Sequence, residues 1–175
     1  MATAPKNVRK TAAKAEIQVP LAESAGHLVR DIHRMQSRLL QRRIGKYGVK
    51  FGSWYYLRVL WSEDGLSQHE LSDRVQFNDA TTRAAVDRME NEGLVERRSH
   101  PEDRRKSCIY LTKRGRELKA KLLPIAVELN DVLLQNLSKT EQQVFLANLR
   151  RTRDNYNELY YTGAGKLRKP ESPAT

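Results

Sequence analysis

Only one cysteine, Cys108, occurs among the 175 residues, which excludes an internal disulfide framework and any multi-cysteine zinc site and suits a reducing cytoplasm. No stretch approaches the roughly 20 consecutive apolar residues of a membrane span, and residues 1–20 lack the apolar centre of a secretory signal. The chain therefore reads as soluble and cytoplasmic, with no membrane partner. Ser, His and Asp residues are scattered, but none sits in a nucleophile turn such as G-x-S-x-G, and no glycine loop is built to cradle phosphate. An enzyme, a bound metal and a cofactor are not expected. Acid is also scarce: 21 Asp and Glu stand against 32 Lys and Arg, for a net charge of +11. Such an excess points to a polyanionic partner.

The charge is unevenly spread. Residues 1–20 hold Lys6, Arg9, Lys10 and Lys14 against Glu16, and residues 162–175 hold Lys166, Arg168 and Lys169 against Glu171. Both ends are poor in large apolar residues and read as disordered basic arms, because they bury too little to offset the entropy of ordering. Between them, residues 21–161 read as one domain. Most of its excess lies in 21–50, where Arg30, Arg34, Arg38, Arg42, Arg43, Lys46 and Lys50 face only Glu23 and Asp31. Segment 66–115 is nearly neutral, so the argument for nucleic acid rests on placement rather than on totals.

Apolar residues Leu21, Ala25, Leu28, Ile32, Met35 and Leu39 recur at three- and four-residue steps and predict one long amphipathic helix to about Gly45. A second, aromatic helix is expected from Ser53 to Trp61. Ser67 with Glu70 forms a capping box that opens a short helix through Leu71 to Val75. Asn78 or Asp79 caps the next, which ends at Asn91-Glu92-Gly93 with glycine as a left-handed stop. Two short helices joined by so brief a turn make a helix-turn-helix pattern, in which the second presents its early residues to base edges. Leu94–Arg98 and Cys108–Thr112 are extended-type segments flanking a tip with Arg104, Arg105 and Lys106. They predict a basic β-hairpin able to reach phosphates or a narrow minor groove. Two further helices follow, the first expected to kink at Pro124, the second opened by Ser138 and Glu141. The fold class is thus mainly α with a small β-hairpin wing: a winged helix-turn-helix core at about 66–115, plus dimerisation helices from both ends of the chain. Long apolar-striped terminal helices need a partner surface, and a second copy supplies one by two-fold symmetry.

The run Asp103-Arg104-Arg105-Lys106-Ser107-Cys108-Ile109-Tyr110-Leu111-Thr112 resembles the wing signature of the MarR family of bacterial winged-helix regulators. Val86-Asp87-Arg88-Met89-Glu90 followed by Gly93-Leu94-Val95-Glu96-Arg97 resembles the end of that family's recognition helix and the start of its wing. The resemblance implies that Arg105 enters the minor groove while Asp103 holds its guanidinium, with Arg104 and Lys106 beside it. It also implies that Thr81, Thr82 and Arg83 face the major groove, and Arg88 joins the DNA-binding set. One departure is visible: where many members have Thr then Arg, this chain has Arg83 then Ala84, a step of about 100° around the helix.

The same resemblance implies a homodimer bound to double-stranded DNA, and a pocket for a small aromatic acid or its CoA thioester between the winged unit and the dimerisation helices. Arg30, His33 and Arg34, then Trp54, Tyr55, Tyr56 and Arg58, can stack on a ring and neutralise an anion. Each has a plainer reading as well: a solvated basic face for the arginines, core packing for the tryptophan, a structural histidine. Cys108 is expected to be buried as a small hydrophobe. The functional expectation is a ligand-responsive regulator, a repressor released from a pseudo-palindromic operator. The alternative is a sequence-indifferent architectural nucleic-acid-binding protein working through its basic arms.

Overall fold

The computed structural model describes residues 20–99 and 107–162. The expected basic arms and the wing tip, with Asp103, Arg104, Arg105 and Lys106, lie outside the described residues. Among the described residues, six α-helices and three short strands follow one another as α1 (Ala25–Ile44), α2 (Phe51–Leu60), β1 (Leu66–Ser67), α3 (Gln68–Val75), α4 (Asp79–Asn91), β2 (Val95–Ser99), β3 (Ser107–Leu111), α5 (Lys113–Leu134) and α6 (Lys139–Thr162).

Local hydrogen bonds explain where most helices begin. Ser24 accepts from the amide of His27 at α1, and Asn78 accepts from the amide of Thr81 at 2.8 Å to start α4. At α3 the capping box is complete: Glu70 accepts from the Ser67 amide at 2.8 Å and the Ser67 hydroxyl accepts from the Glu70 amide at 3.3 Å. Ser138 and Glu141 repeat the reciprocal pattern at α6, and the Ser138 hydroxyl and then its amide, both donating to the Glu141 carboxylate, hold that carboxyl below its usual range. At α2 the sequence offers no capping side chain. Its first amide, that of Phe51, instead donates to Gln41 of α1 at 2.5 Å, and the helix starts two residues before the expected Ser53.

The α3–α4 corner turns on Gln76, which is left-handed at φ 57°. The Ser72 hydroxyl donates to the Phe77 carbonyl across that corner at 2.6 Å. The α4–β2 corner uses Gly93 at φ 66° as expected. β2 and β3 pair antiparallel with Arg97 opposite Ile109, and β1 adds to the free side of β3 with Leu66 opposite Ile109. The expected two-stranded hairpin is therefore a three-stranded sheet of order β1-β3-β2. Two residues of β1 are too few to show an alternating pattern, and the capping box on Ser67 masks them as a helix start. α5 runs continuously over Pro124.

The core gathers Ile44, Leu57, Leu71, Val86, Met89, Leu94, Ile109 and Leu122, each 1% exposed or less. Cys108 is also buried, at 1%, outside that apolar cluster. α1 and α5 reach this core through Leu40 and Ile44, and through Leu118, Leu122 and Leu129. Other apolar residues on the same helices stay outside: Leu28, Val29, Met35 and Leu39 on α1, Val127 and Val132 on α5. No described side chain of α6 is buried, and Val144, Leu149, Tyr156 and Leu159 are exposed along it.

One crowded corner fixes the sheet against α5. The Trp61 indole donates to the Gly115 carbonyl at 2.9 Å, and Asp64 accepts from the Leu111 amide at 2.8 Å while pairing with Arg116 at 2.9 Å. A Cβ on Gly115 would stand 2.1 Å from the Leu94 carbonyl oxygen. Gly115→Ala is expected to destabilise the fold by about 1–3 kcal/mol through overpacking against backbone. Urea and thermal unfolding read the effect, at about 2–4 °C of melting temperature per kcal/mol for a chain of this size.

Candidate nucleic-acid interface

α4 divides cleanly. Thr82, Ala85, Val86 and Met89 point into the core, while Asp79, Ala80, Thr81, Arg83, Ala84 and Asp87 are exposed on the other side. The Asn78 cap and the tight α3–α4 corner hold the start of this exposed face out from the body. Arg83 has no ion-pair partner among the described residues and lines a shallow depression with Gln68, Asp79 and Asp87. Nearby, His69 on α3 lies 3.6 Å from Asp79 and 3.7 Å from Asp73.

Two of the expected DNA-facing residues are placed elsewhere. Thr82 is fully buried, its hydroxyl 3.5 Å from that of Tyr56 on α2. One step of helix rotation separates it from its exposed neighbours Thr81 and Arg83, so the position carried over from the family resemblance faces inward here. Arg88 is half-buried and turned back onto α2, with its Nε enclosed and without a hydrogen-bond partner. Thr81 and Arg83 remain on the exposed face.

A residue absent from the expected set holds the unit rigid. Arg97 on β2 bridges to Asp87 at 2.5 Å and to Glu90, both on α4, and its own amide donates to Glu90 at 3.2 Å. Partial burial works against the Arg97 charge, but the two carboxylates outweigh it and raise its pKa above the ordinary arginine value. Arg98 pairs with Glu96 and lies 5.1 Å over the Tyr110 ring. The described basic residues of β2 thus brace the wing rather than stand open. Opposite charges on α4 and ten residues later were the only sequence signal for this brace.

The residues expected to hold an effector do not all gather in one place. Arg30 and Arg34 share Asp31 at 3.4 Å on the exposed side of α1. Neither lines the cleft formed by Trp54 and Arg58, and the carboxylate they share stands between them in sequence. His33 is exposed, its ring edge-on to Phe51 at 6.4 Å and its Nε2 3.4 Å from Ser37. Trp54 and Arg58 do come together. They line a cleft of about 450 Å³ bounded by Gln36 and Leu40 of α1 and by Leu123, Ala126 and Asn130 of α5. The Arg58 guanidinium lies 5.5 Å over the Trp54 ring and has no carboxylate partner among the described residues. Gln36 and Asn130 escaped notice; Gln36 sits one turn before the buried Leu40, which is the signal that places it inward. Tyr55 does not line that cleft but shares a shallower pocket of about 350 Å³ with Trp54, Arg58 and Arg74; its ring is edge-on to Phe51 at 5.3 Å and to Phe77 at 6.2 Å, and burial raises its hydroxyl pKa. Tyr56 is 2% exposed and belongs to the core.

Among the described residues no cluster of His, Cys, Asp and Glu is arranged to hold a metal, and no helix is long and apolar enough to cross a membrane. Comparison with known proteins agrees with the geometry. The profile of the MarR family matches residues 52–107. Transcriptional regulator HosA of Escherichia coli O111:H- is 32% identical over 95 residues, covering 54% of this chain and 70% of HosA. HTH-type transcriptional regulator TtmR of Methylorubrum extorquens is 30% identical over 140 residues, 79% of this chain and 68% of TtmR. Among solved structures, the PcaV transcriptional regulator of Streptomyces coelicolor in complex with its natural ligand superposes with a TM-score of 0.67 at 29% identity, covering 79% of this chain and 98% of PcaV. With its helix-turn-helix of α3 and the Asn78-capped α4, its three-stranded sheet and these relatives, the chain belongs to the MarR family of transcriptional regulators.

Proposed function

We propose that this regulator is a dimeric repressor that releases a pseudo-palindromic operator when a small aromatic acid, or its CoA thioester, binds. The observation that carries the DNA-binding part is the two-sided character of α4: its inner face is locked into the core and braced by Arg97, while Thr81 and Arg83 stand exposed near its start. A helix so held can insert its early residues into a major groove, and a two-fold pair would present two such helices about 34 Å apart. The exposed apolar residues on α1, α5 and α6 support the pair, since isolated apolar strips of this length seek burial.

The cleft beneath α1 and α5 supports the effector part. It lies between the winged unit and the terminal helices, and it offers Trp54 as a ring wall and Arg58 as an anion partner. PcaV, a similar protein, was solved with its natural ligand. An effector that favours a dimer with the wrong spacing of recognition helices weakens operator binding by the same factor by which DNA weakens effector binding.

Mobility shifts on the DNA upstream of its own gene, with and without aromatic acids and thioesters, test the whole reading. Binding that ignores sequence overturns the repressor, and binding that no compound relieves overturns the switch. Light scattering is expected to give twice the protomer mass at micromolar concentration. Arg83→Ala is expected to weaken operator affinity by about 1–3 kcal/mol, roughly 5- to 150-fold. Arg58→Gln is expected to retain operator binding and to need at least about tenfold more effector for release, the loss of one charge-assisted hydrogen bond.

A further inference from the structure

Three elements meet at the carboxyl end of α4. Glu92 caps that end, and its carboxylate pairs with Lys50 of the α1–α2 loop at 3.2 Å. The Glu92 carbonyl accepts from Arg114 of α5 at 2.7 Å. Gly48, left-handed at φ 72°, seats the same loop on Arg114 so closely that a Cβ there would stand 3.1 Å from the guanidinium. The end of α4 is thereby tied to the segment that follows α1 and to the first turn of α5.

This junction is incompletely satisfied. Among the described residues, three enclosed side-chain polar atoms lack a hydrogen-bond partner, and two of them are Glu92 Oε2, an acceptor, and Arg88 Nε, a donor. Residues four apart on a helix share a face, with Cβ atoms about 5–6 Å apart. Two neighbouring acids are already taken, Asp87 and Glu90 by Arg97, which leaves Glu92 as the carboxylate one turn from Arg88. Enclosed donors and acceptors are normally matched. The Lys50 side chain, by contrast, is 64% exposed, so water solvates its ammonium when the pair opens. As the structure stands, Glu92 keeps an ion pair with a largely solvated lysine and leaves two polar atoms unmatched. Turned one step back, it matches both and releases Lys50 to solvent. Exposed ion pairs and single hydrogen bonds each contribute modestly, so the two arrangements lie close in free energy.

We propose that Glu92 is a two-position latch, its carboxylate alternating between Lys50 on the α1–α2 loop and Arg88 on α4 itself. Arg114 holds the Glu92 carbonyl in both positions and serves as the pivot. On Lys50 the latch fastens the end of α4 to the loop behind α1; on Arg88 it closes within the helix and frees that loop. Movements of α1 then reach α4 in the first position and are uncoupled from it in the second. The consequence for operator binding rests on α4 being the DNA-reading element; the latch itself does not.

Hydrogen exchange on the full-length protein tests it, read at the Gly48 and Val49 amides, which bond back to Gly45 and Ile44 at 3.0 and 3.4 Å. Lys50→Gln is expected to speed their exchange about two- to fivefold, and Arg88→Met, which keeps the apolar stem, to slow it by a similar factor. Both effects are expected to vanish in a Glu92→Gln background. Changes of the same sign, or effects that persist without the Glu92 carboxylate, overturn the latch, since a merely structural role for both cations loosens the loop in either variant. Should Arg88→Met fail to fold, the Arg88 Nε–H proton decides by NMR: Lys50→Gln is expected to slow its exchange with water about two- to fivefold, and an unchanged rate overturns the proposal. Operator affinity of the unsubstituted protein reports separately on the regulator reading, so the two can fail independently.

Discussion

The anchoring of α4 governs the rest of the molecule. Its inner residues Thr82, Ala85, Val86 and Met89 are at most 3% exposed, and Arg97 ties its outer acids to β2. Burial fixes the rotation of the helix, and the ion pairs fix its tilt against the wing. Half-exposed ion pairs of this kind add little stability each. Here their weight is geometric: one guanidinium receives two carboxylates one turn apart, which only one helix-strand arrangement permits. The α5 corner extends the same constraint, since Asp64 and the Trp61 indole join the sheet to the helix that leads away from it.

Much of this was legible in the chain. Side-chain caps are local chemistry, and Ser67 with Glu70, Asn78, Thr112 and Ser138 each stand at a helix start, as residue type and spacing suggest. Glycine at Gly93 ends α4 for an equally local reason. What escaped were features set by distant residues. The start of α2 depends on Gln41, ten residues earlier, and β1 exists only because β3 offers it an edge.

The candidate site was read less well, for the same reason. Thr81, Thr82 and Arg83 are adjacent in sequence, but a helix sends them in different directions, and the middle one meets Tyr56 in the core. Arg30 and Arg34 share an anion with each other rather than offering themselves to a ligand. Trp54 and Arg58 were recoverable because a four-residue step stacks one above the other. Arg88 was assigned to DNA by position alone, whereas its guanidinium is engaged with the α2 side of the helix.

α6, although it is 24 residues long, buries none of its described side chains in the protomer's own core. Helical propensity by itself holds such a segment only marginally in water. Its order is therefore linked by mass action to whatever covers Val144, Leu149, Tyr156 and Leu159. If that cover is another copy, the C-terminal arm firms up as the protein accumulates, and dilution alone loosens it. Cellular copy number then becomes a thermodynamic variable of the fold.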